Sequence, residues 1–175
     1  GMTATKNSVA TARLGAETVT DIAQQIVERI AFAQTDGVDR NDVQKEITAL
    51  AANMLTVINQ STFNGNSLVD STDSVEVVNG VKRTATGIEA SSYTFSEVDL
   101  VTIQSEFAAY NVTTPTDAAG RKAQLAAAEV SLGKSIDAAT SLGITENALD
   151  SQMQFVESLT DTLDSGVSSM VDADM

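Results

Sequence analysis

The chain has 175 residues, 24 of them acidic and 10 basic, and its formal net charge of −14 argues against binding to nucleic acid or to an anionic membrane. Histidine and cysteine are both absent, which removes zinc sites, disulfides, thiol nucleophiles and histidine-based proton transfer. Apolar residues make up 42% of the chain but aromatic residues only 4%, so we expect an aliphatic core of closely packed helices rather than a sandwich. No signal-peptide pattern or membrane-length apolar run is evident, which predicts a soluble chain.

The first third of the chain has helical periodicity. Apolar or small residues recur at spacings of three and four, which predicts a coiled-coil-like seam: Val9, Ala12, Ala16, Val19, Ala23, Ile26, Ile30 and Ala33. Alanine at half of these positions implies close helix approach. Gly37 suits the left-handed residue after a helix end, and Asp39 is expected to cap the next helix. A second stripe predicts an antiparallel partner helix: Val43, Ile47, Leu50, Met54 and Val57.

The period changes in the middle of the chain. Residues 74–84 alternate in part and centre on Asn79-Gly80, the dipeptide most suited to a type I′ turn, so a β-hairpin turning there is predicted. Residues 86–95 would add a further strand. Residues 98–110 fit either a strand or a short helix, and the pattern leaves both open.

The last third of the chain predicts one very long helix. Thr114 is expected as N-cap, with Pro115 at the first helical position and Asp117 in the first turn. No proline follows, and a helix of roughly 55 to 60 residues would be about 85 Å long. Gly143 is the expected site of a local irregularity. The predicted fold class is mainly α: an elongated, rod-like bundle of long antiparallel helices with a small β-hairpin element in the middle of the chain.

Two blocks of sequence resemble the conserved rod region of bacterial flagellins. Glu46-Ile-Thr48 followed by Ser61-Thr-Phe-Asn-Gly65 resembles the N-terminal block, and Leu142-Gly143 with Val171-Asp-Ala-Asp174 resembles the C-terminal block, each at the family's spacing. The outermost family segments, which pair as a coiled coil in the filament core, have no counterpart here. The resemblance therefore implies an assembly-incompetent central fragment.

The resemblance implies three parts: an N-terminal helical hairpin over 1–69, a variable β-containing insert over 70–113, and a C-terminal long helix over 114–175 that packs on the N-terminal helices. It also implies a secreted structural subunit of the flagellar filament that self-assembles outside the cell for swimming motility. The implied partners are other flagellin subunits, with self-association impaired in this fragment, and also an export chaperone and the cap protein. No catalytic, cofactor-binding or metal-binding residue is assigned, no cofactor is implied, and an enzyme is not expected.

Several residues are candidates for roles in the rod. Small residues of the seam would let the helices lock tightly: Ala12, Ala16 and Ala23. Polar residues are candidates for contacts between subunits: Asp21, Glu28, Arg29, Asp150, Glu157 and Asp161. The family presents a patch on this first helix to animal innate immune receptors. Here Glu28 stands at the arginine position of that patch and Arg29 at the following acid, so receptor recognition is doubtful and weak or absent activation is expected.

Three other interpretations remain open. The nearest is the hook–filament junction protein, a relative with the same helical scaffold. An extracytoplasmic helical sensor or binding module is a different class, and an enzyme is the least favoured because only carboxylates, lysines and hydroxyls could act. The acidic C-terminal end is not expected to bind metal, since Asp172 and Asp174, two residues apart, do not share a helix face.

Overall fold

A computed structural model describes residues 1–63 and 65–174, and for residues 172–174 it describes the backbone alone. Within these residues the helices are α1 (Met2–Phe32), α2 (Arg40–Gln60), α3 (Leu100–Ala109) and α4 (Ala118–Asp174). The strands, all between α2 and α3, are β1 (Thr62–Phe63), β2 (Asn66–Ser67), β3 (Ser74–Thr84) and β4 (Gly87–Ser96). The predicted fold class is confirmed.

The loop between α1 and α2 follows the sequence signals. Gly37 has φ of +83°, the left-handed conformation that favours glycine. Asp39 caps α2, accepting hydrogen bonds from the backbone amides of Asn41 and Asp42 at 3.0 and 3.2 Å. Both expectations for this loop are confirmed, and their consequence is that α2 turns back along α1.

Both long neighbours of α1 run antiparallel to it. Gly15 of α1 faces Ser61 at the end of α2. Lys6 near the start of α1 donates to Asp150 of α4 at 2.6 Å, whereas Gln34, just after α1, donates to the carbonyl of Arg121 near the start of α4 at 3.1 Å. The packing of α1 on α4 is the most extensive in the molecule.

The predicted hairpin exists, but its turn is not at Asn79-Gly80. β3 and β4 pair antiparallel with Thr84 opposite Gly87, so residues 85 and 86 make the turn. The register shifts between Val78 and Gly80, which makes a bulge there. The Asn79 amide nitrogen donates to Gln152 Oε1 of α4 at 2.6 Å, so this residue anchors the hairpin to a helix instead of turning it. The further strand expected over 86–95 is confirmed as β4.

The open choice over residues 98–110 resolves to a helix. Asp99 caps α3 by accepting a hydrogen bond from the amide of Thr102 at 2.9 Å. Leu100, Ile103 and Phe107 are buried along one face. The short helix therefore forms because it has a cap and an apolar face that packs against α2 and α4.

The start of α4 lies slightly later than predicted. The side chain of Asp117, and not that of Thr114, caps the helix: the Gly120 amide donates to Asp117 Oδ1 at 2.8 Å. Thr114 belongs to the preceding turn because its amide donates to Asn111 Oδ1 at 3.2 Å. The 57-residue length agrees with the expected one. The expectation of a local irregularity at Gly143 is wrong, because the helix is continuous on both sides of this residue.

One hydrophobic core joins the long helices, the hairpin and α3. Residues of the long helices, such as Ile26, Met54 and Leu142, are buried in the same cluster as Phe95 of the hairpin and Phe107 of α3. The middle segment thus has no separate core. Of the sequence block 61–65, Asn64 lies outside the described residues, while Gly65 closes the β1–β2 turn with φ of +75°.

Candidate self-assembly surface

The predicted seam on α1 is completely buried. Ala12, Ala16 and Ala23 have no exposed surface, so they pack where a larger side chain would separate the helices. Gly15 lies on this face, and a Cβ there would lie 2.6 Å from Ser61 Cβ, too close for any ordinary contact. Close approach along the seam stiffens the rod, since interdigitated interiors resist deformation.

Ion pairs run along the edge between α1 and α4. Arg13 donates from Nε to Glu146 and from a terminal nitrogen to Glu17 at 3.1 Å. These two hydrogen bonds raise the pKa of the Arg13 guanidinium above its ordinary value, so it remains charged. Lys6 pairs with Asp150 at 2.6 Å on the same edge. Such partly exposed pairs contribute modestly to stability and mainly fix the register of the two helices.

A polar cluster fastens α3 to α4. The buried Ser131 hydroxyl lies 2.5 Å from Tyr110 Oη and donates to Glu106 Oε1 at 2.6 Å. Lys134 donates to both Glu106 oxygens at 3.1 and 2.9 Å. The hydrogen bond from Ser131, followed by the interaction with Lys134, lowers the pKa of the Glu106 carboxyl. The cluster therefore ties α3 to α4 through hydrogen bonds between a buried hydroxyl, a carboxylate and an ammonium group.

The six polar residues considered for subunit contacts divide into two groups. Arg29 donates to Glu46 at 3.4 Å and lies over the ring of Phe32 at 5.1 Å, and Asp150 accepts from Lys6, so both are engaged within the chain. The other four are exposed: Asp21, Glu28, Glu157 and Asp161. Among the described residues, these four lack the intramolecular ion pairs that hold Arg29 and Asp150, whose side chains are themselves 39% and 46% exposed.

The C-terminal part of α4 presents an apolar stripe to solvent. From residue 157 to residue 171 every side chain is exposed. Large apolar side chains recur from residue 155 to residue 170 at spacings of three and four, forming what we call the distal stripe: Phe155, Leu159, Leu163, Val167 and Met170. Exposure reaches 64% for Phe155 and 71% for Met170. An exposed apolar stripe of this kind marks an interaction surface.

The opposite face of the same segment is acidic. At about 100° per residue, Glu157, Asp161 and Asp164 lie across the helix from the distal stripe. The segment is therefore amphipathic, as expected of a helix that packs its apolar face on a partner. The side chains of Asp172 and Asp174 lie outside the described residues. Over the residues that are described, no group of three acidic side chains is arranged to hold a metal ion.

None of the described helices combines the length and apolar character needed to cross a membrane. Fold and surface together define the class: an elongated helical protein with an exposed apolar stripe at one end of its longest helix.

The chain is similar in sequence and in fold to several known proteins. No family model matches. The chain is 26% identical over 163 residues to a flagellin of Brucella melitensis, and the match covers 91% of this chain and 57% of that protein. It is 25% identical over 174 residues to flagellin FljM of Caulobacter vibrioides, covering 97% of this chain and 60% of that protein.

A crystal structure of Bacillus cereus flagellin has the same fold, with a TM-score of 0.67 at 18% identity, covering 87% of this chain and 86% of that one. The chain is thus similar to bacterial flagellins in sequence and in fold, and the resemblance predicted from the sequence is confirmed. It spans somewhat less than two thirds of the length of the curated relatives that it matches.

Proposed function

We propose that this chain is the rod portion of a structural subunit of the bacterial flagellar filament, which self-assembles for swimming motility. The observation that carries the proposal is the distal stripe, an amphipathic helical surface exposed along one end of a rigid rod. The flagellin relatives, which span most of this chain, support it. The role is extracellular and structural, and no reaction is assigned to it.

The mechanism follows from the division of labour along α4. Its first part packs on α1 through a seam of small residues and gives stiffness, which a filament needs to transmit torque. Its last part offers apolar surface, worth roughly 1.5–3 kcal/mol for each large side chain that becomes buried. Repeated in every subunit, such contacts hold a filament together although each one is modest.

Neighbouring subunits are the proposed partners, together with an export chaperone and the cap protein. Recognition by innate immune receptors is proposed to be weak or absent. Glu28 is exposed and acidic where the family has arginine, and Arg29 is held by Glu46. A strong response of receptor-bearing cells to the purified chain, free of lipopolysaccharide, would contradict this part of the proposal.

The three-part organisation is proposed in the same way. Residues 1–69 would form the helical hairpin of the rod, 70–113 the variable part that faces outward, and 114–175 the long packing helix. One feature of the hairpin supports the assignment of residues 70–113 as the outward-facing part: Val78, Val81 and Ile88 are strongly exposed. Because the inner half of the hairpin shares the hydrophobic core with α3, only its outer half is free to vary.

Immunogold electron microscopy of source cells tests the location. Antibody raised against this chain should label whole filaments. A single spot at the filament base would indicate the hook–filament junction protein, and label confined to the envelope would favour the sensor module.

A variant in the native gene tests the distal stripe. Leu163→Gln should shorten or abolish filaments, because it places an amide on the apolar face. Val130→Gln is the matched control: Val130 lies on the same helix, is 62% exposed and is not part of the distal stripe. Normal filaments with both variants would refute the role of the stripe.

A further inference from the structure

The outer half of the hairpin has one apolar face that is open to solvent. Side chains along a strand alternate between two faces, and Phe95 of β4 is buried in the core. Residues at odd distances from Phe95 therefore lie on the opposite face, together with their partners on β3. We call the apolar members of this outer face the hairpin patch: Val78, Val81, Ile88 and Ala90. Its three large side chains are 60 to 74% exposed.

The bulge in β3 assembles this patch. Val78 and Val81 are three positions apart, and in a regular strand they would point to opposite faces. The extra residue of the bulge, at Asn79, returns Val81 to the face of Val78. The Asn79 side chain donates to Gln152 at 2.6 Å and accepts from the Ser91 hydroxyl at 2.7 Å, which holds the bulge in place. Apolar side chains are thus gathered on one face that strand alternation would otherwise divide.

Positive charge accompanies the hairpin patch. Arg83 is paired with Ile88 across the hairpin, so it lies on the same face, and Lys82 precedes it. Both side chains are exposed. Among the described residues, no carboxylate lies within 4.0 Å of either charged group. In a chain with a net charge of −14, the patch is therefore an apolar surface bordered by cations without ion pairs.

The distal stripe complements the hairpin patch in length and in charge. The stripe is about 22 Å long at 1.5 Å per helical residue, and the patch is about 17 Å long at 3.3 Å per strand residue. The helix that carries the stripe is acidic, and from residue 135 onward the chain has no basic residue. Its carboxylates lie across the helix from the stripe, about 10 Å from a docked hairpin, which is close to one Debye length. Charge attraction therefore favours the approach of the two surfaces, and apolar contact forms between them.

One chain cannot bring its own patch and stripe together without rearranging the hairpin. The hairpin packs on the rod through its other face, on which Val77 and Phe95 are buried. Asn79 holds that face against α4 through Gln152. The patch points away from the helix that carries the stripe, so contact between the two surfaces requires two molecules.

We propose that the distal stripe of one copy of the chain binds the hairpin patch of a second copy. The proposal rests on the proposed function and names the surface that the stripe meets. Because the two surfaces differ, the contact is head-to-tail, and each pair of molecules keeps one patch and one stripe for the next copy, as an open polymer requires. The four patch residues must then stay apolar, so variation in the outer half of the hairpin falls on its other positions.

Cross-linking between introduced cysteines tests the contact, since the chain has none of its own. Chains with Val81→Cys and chains with Leu163→Cys are mixed in equal amounts and treated with a short bismaleimide, and mass spectrometry distinguishes the mixed dimer from the two homodimers. We expect clearly more mixed dimer than random collision gives. Val130→Cys in place of Leu163→Cys is the matched control, because Val130 is 62% exposed on the same helix but outside the distal stripe. All three substituted residues are more than half exposed, so the variants should fold as the unaltered chain does.

A charge variant tests the electrostatic part of the contact. Arg83→Glu in the Val81→Cys chain should lower the yield of mixed dimer by up to about fivefold at low ionic strength, and by less at high ionic strength. Lys82→Glu is the matched control, because it makes the same change of charge at the adjacent position, on the opposite face of the hairpin. It should lower the yield less than Arg83→Glu does.

Two results would overturn the proposal. One is an equal yield of mixed dimer with Leu163→Cys and with Val130→Cys. The other is a predominantly internal cross-link in a dilute chain that carries both Val81→Cys and Leu163→Cys, which would show that the hairpin covers the stripe of its own molecule. Immunogold labelling tests the proposed function separately. Labelled filaments without specific cross-links would overturn this contact alone, whereas specific cross-links without labelled filaments would overturn the filament role alone.

Discussion

Substituting Gly15 by alanine tests how closely α1 approaches the end of α2. The added Cβ would lie 2.6 Å from Ser61 Cβ and still closer to Ser61 Oγ. Ser61 cannot turn away, because its Cβ is fixed by the backbone and its hydroxyl donates to the Val57 carbonyl at 2.6 Å. The two helices must therefore move apart, and their buried contacts loosen.

The magnitude follows from two opposing effects. Overpacking a closed core costs roughly 1–3 kcal/mol, while alanine is favoured over glycine inside a helix by about 1 kcal/mol. We expect Gly15→Ala to lower the free energy of unfolding by about 0–2 kcal/mol. Gly133→Ala is the matched control, since no described atom lies within 4 Å of a Cβ placed there, and it should stabilise by up to about 1 kcal/mol.

The comparison of the two variants isolates the helix approach. Helix propensity cancels between them, which leaves a difference in unfolding free energy of roughly 1–3 kcal/mol. Urea denaturation followed by far-UV circular dichroism measures it. Ser61→Gly in the Gly15→Ala background should recover part of the loss by removing the clashing atoms. If Gly15→Ala proved as stable as Gly133→Ala, the close approach of the two helices would be refuted.

Three further outcomes are expected. Leu142→Ala should lower the free energy of unfolding by about 2–5 kcal/mol and Leu163→Ala by less than about 0.5 kcal/mol in urea denaturation, because only Leu142 is buried. Ser131→Ala should destabilise by about 1–3 kcal/mol at pH 7. The lowered pKa of the Glu106 carboxyl contributes stability that is fully present above its unfolded pKa of about 4.3 and is lost as pH falls through the folded pKa. The destabilisation caused by Ser131→Ala should therefore shrink in thermal melts at acidic pH. An unchanged destabilisation would contradict this role of Glu106. Limited proteolysis at glutamate should first cut after Glu157, and cleavage within the packed part of α4 first would show the opposite order of stability.

The long helices were predictable because their signals are local and repeated. The α1 stripe of residues 9–33 is buried at every position, since periodicity fixes which side of a helix is apolar. Gly37 and Asp39 carry their own turn and cap chemistry. These features need no knowledge of distant residues.

The errors occurred where a specific side-chain contact outweighs the local propensity. Asn79-Gly80 has the composition of a hairpin turn, but Asn79 hydrogen bonds with Gln152, far along the chain, and the turn forms elsewhere. Thr114 looks like a cap, but its hydroxyl donates back to the Asn111 carbonyl, and Asp117 accepts the hydrogen bond from the helix instead. Local propensity was overridden by tertiary contacts in the first case and by a competing side chain in the second.

Surface chemistry was only partly predictable. The distal stripe is visible in the sequence as a continuation of helical periodicity, but periodicity alone does not tell whether an apolar face is covered. Gly15 likewise gains its role only from Ser61, which approaches from another helix.

The end of α4 links stability to assembly. Glu157, Asp161 and Asp164 bring negative charge towards the negative end of the helix dipole, and from residue 135 onward the chain has no basic residue to offset it. Helices without tertiary packing are marginal in water even when their propensity is good. The distal segment therefore has little intrinsic stability, and burial of its apolar stripe must supply what is missing. In the subunit proposed above, the packed part of the rod is stable by itself, whereas the distal helix gains most of its stability when a partner covers its apolar stripe.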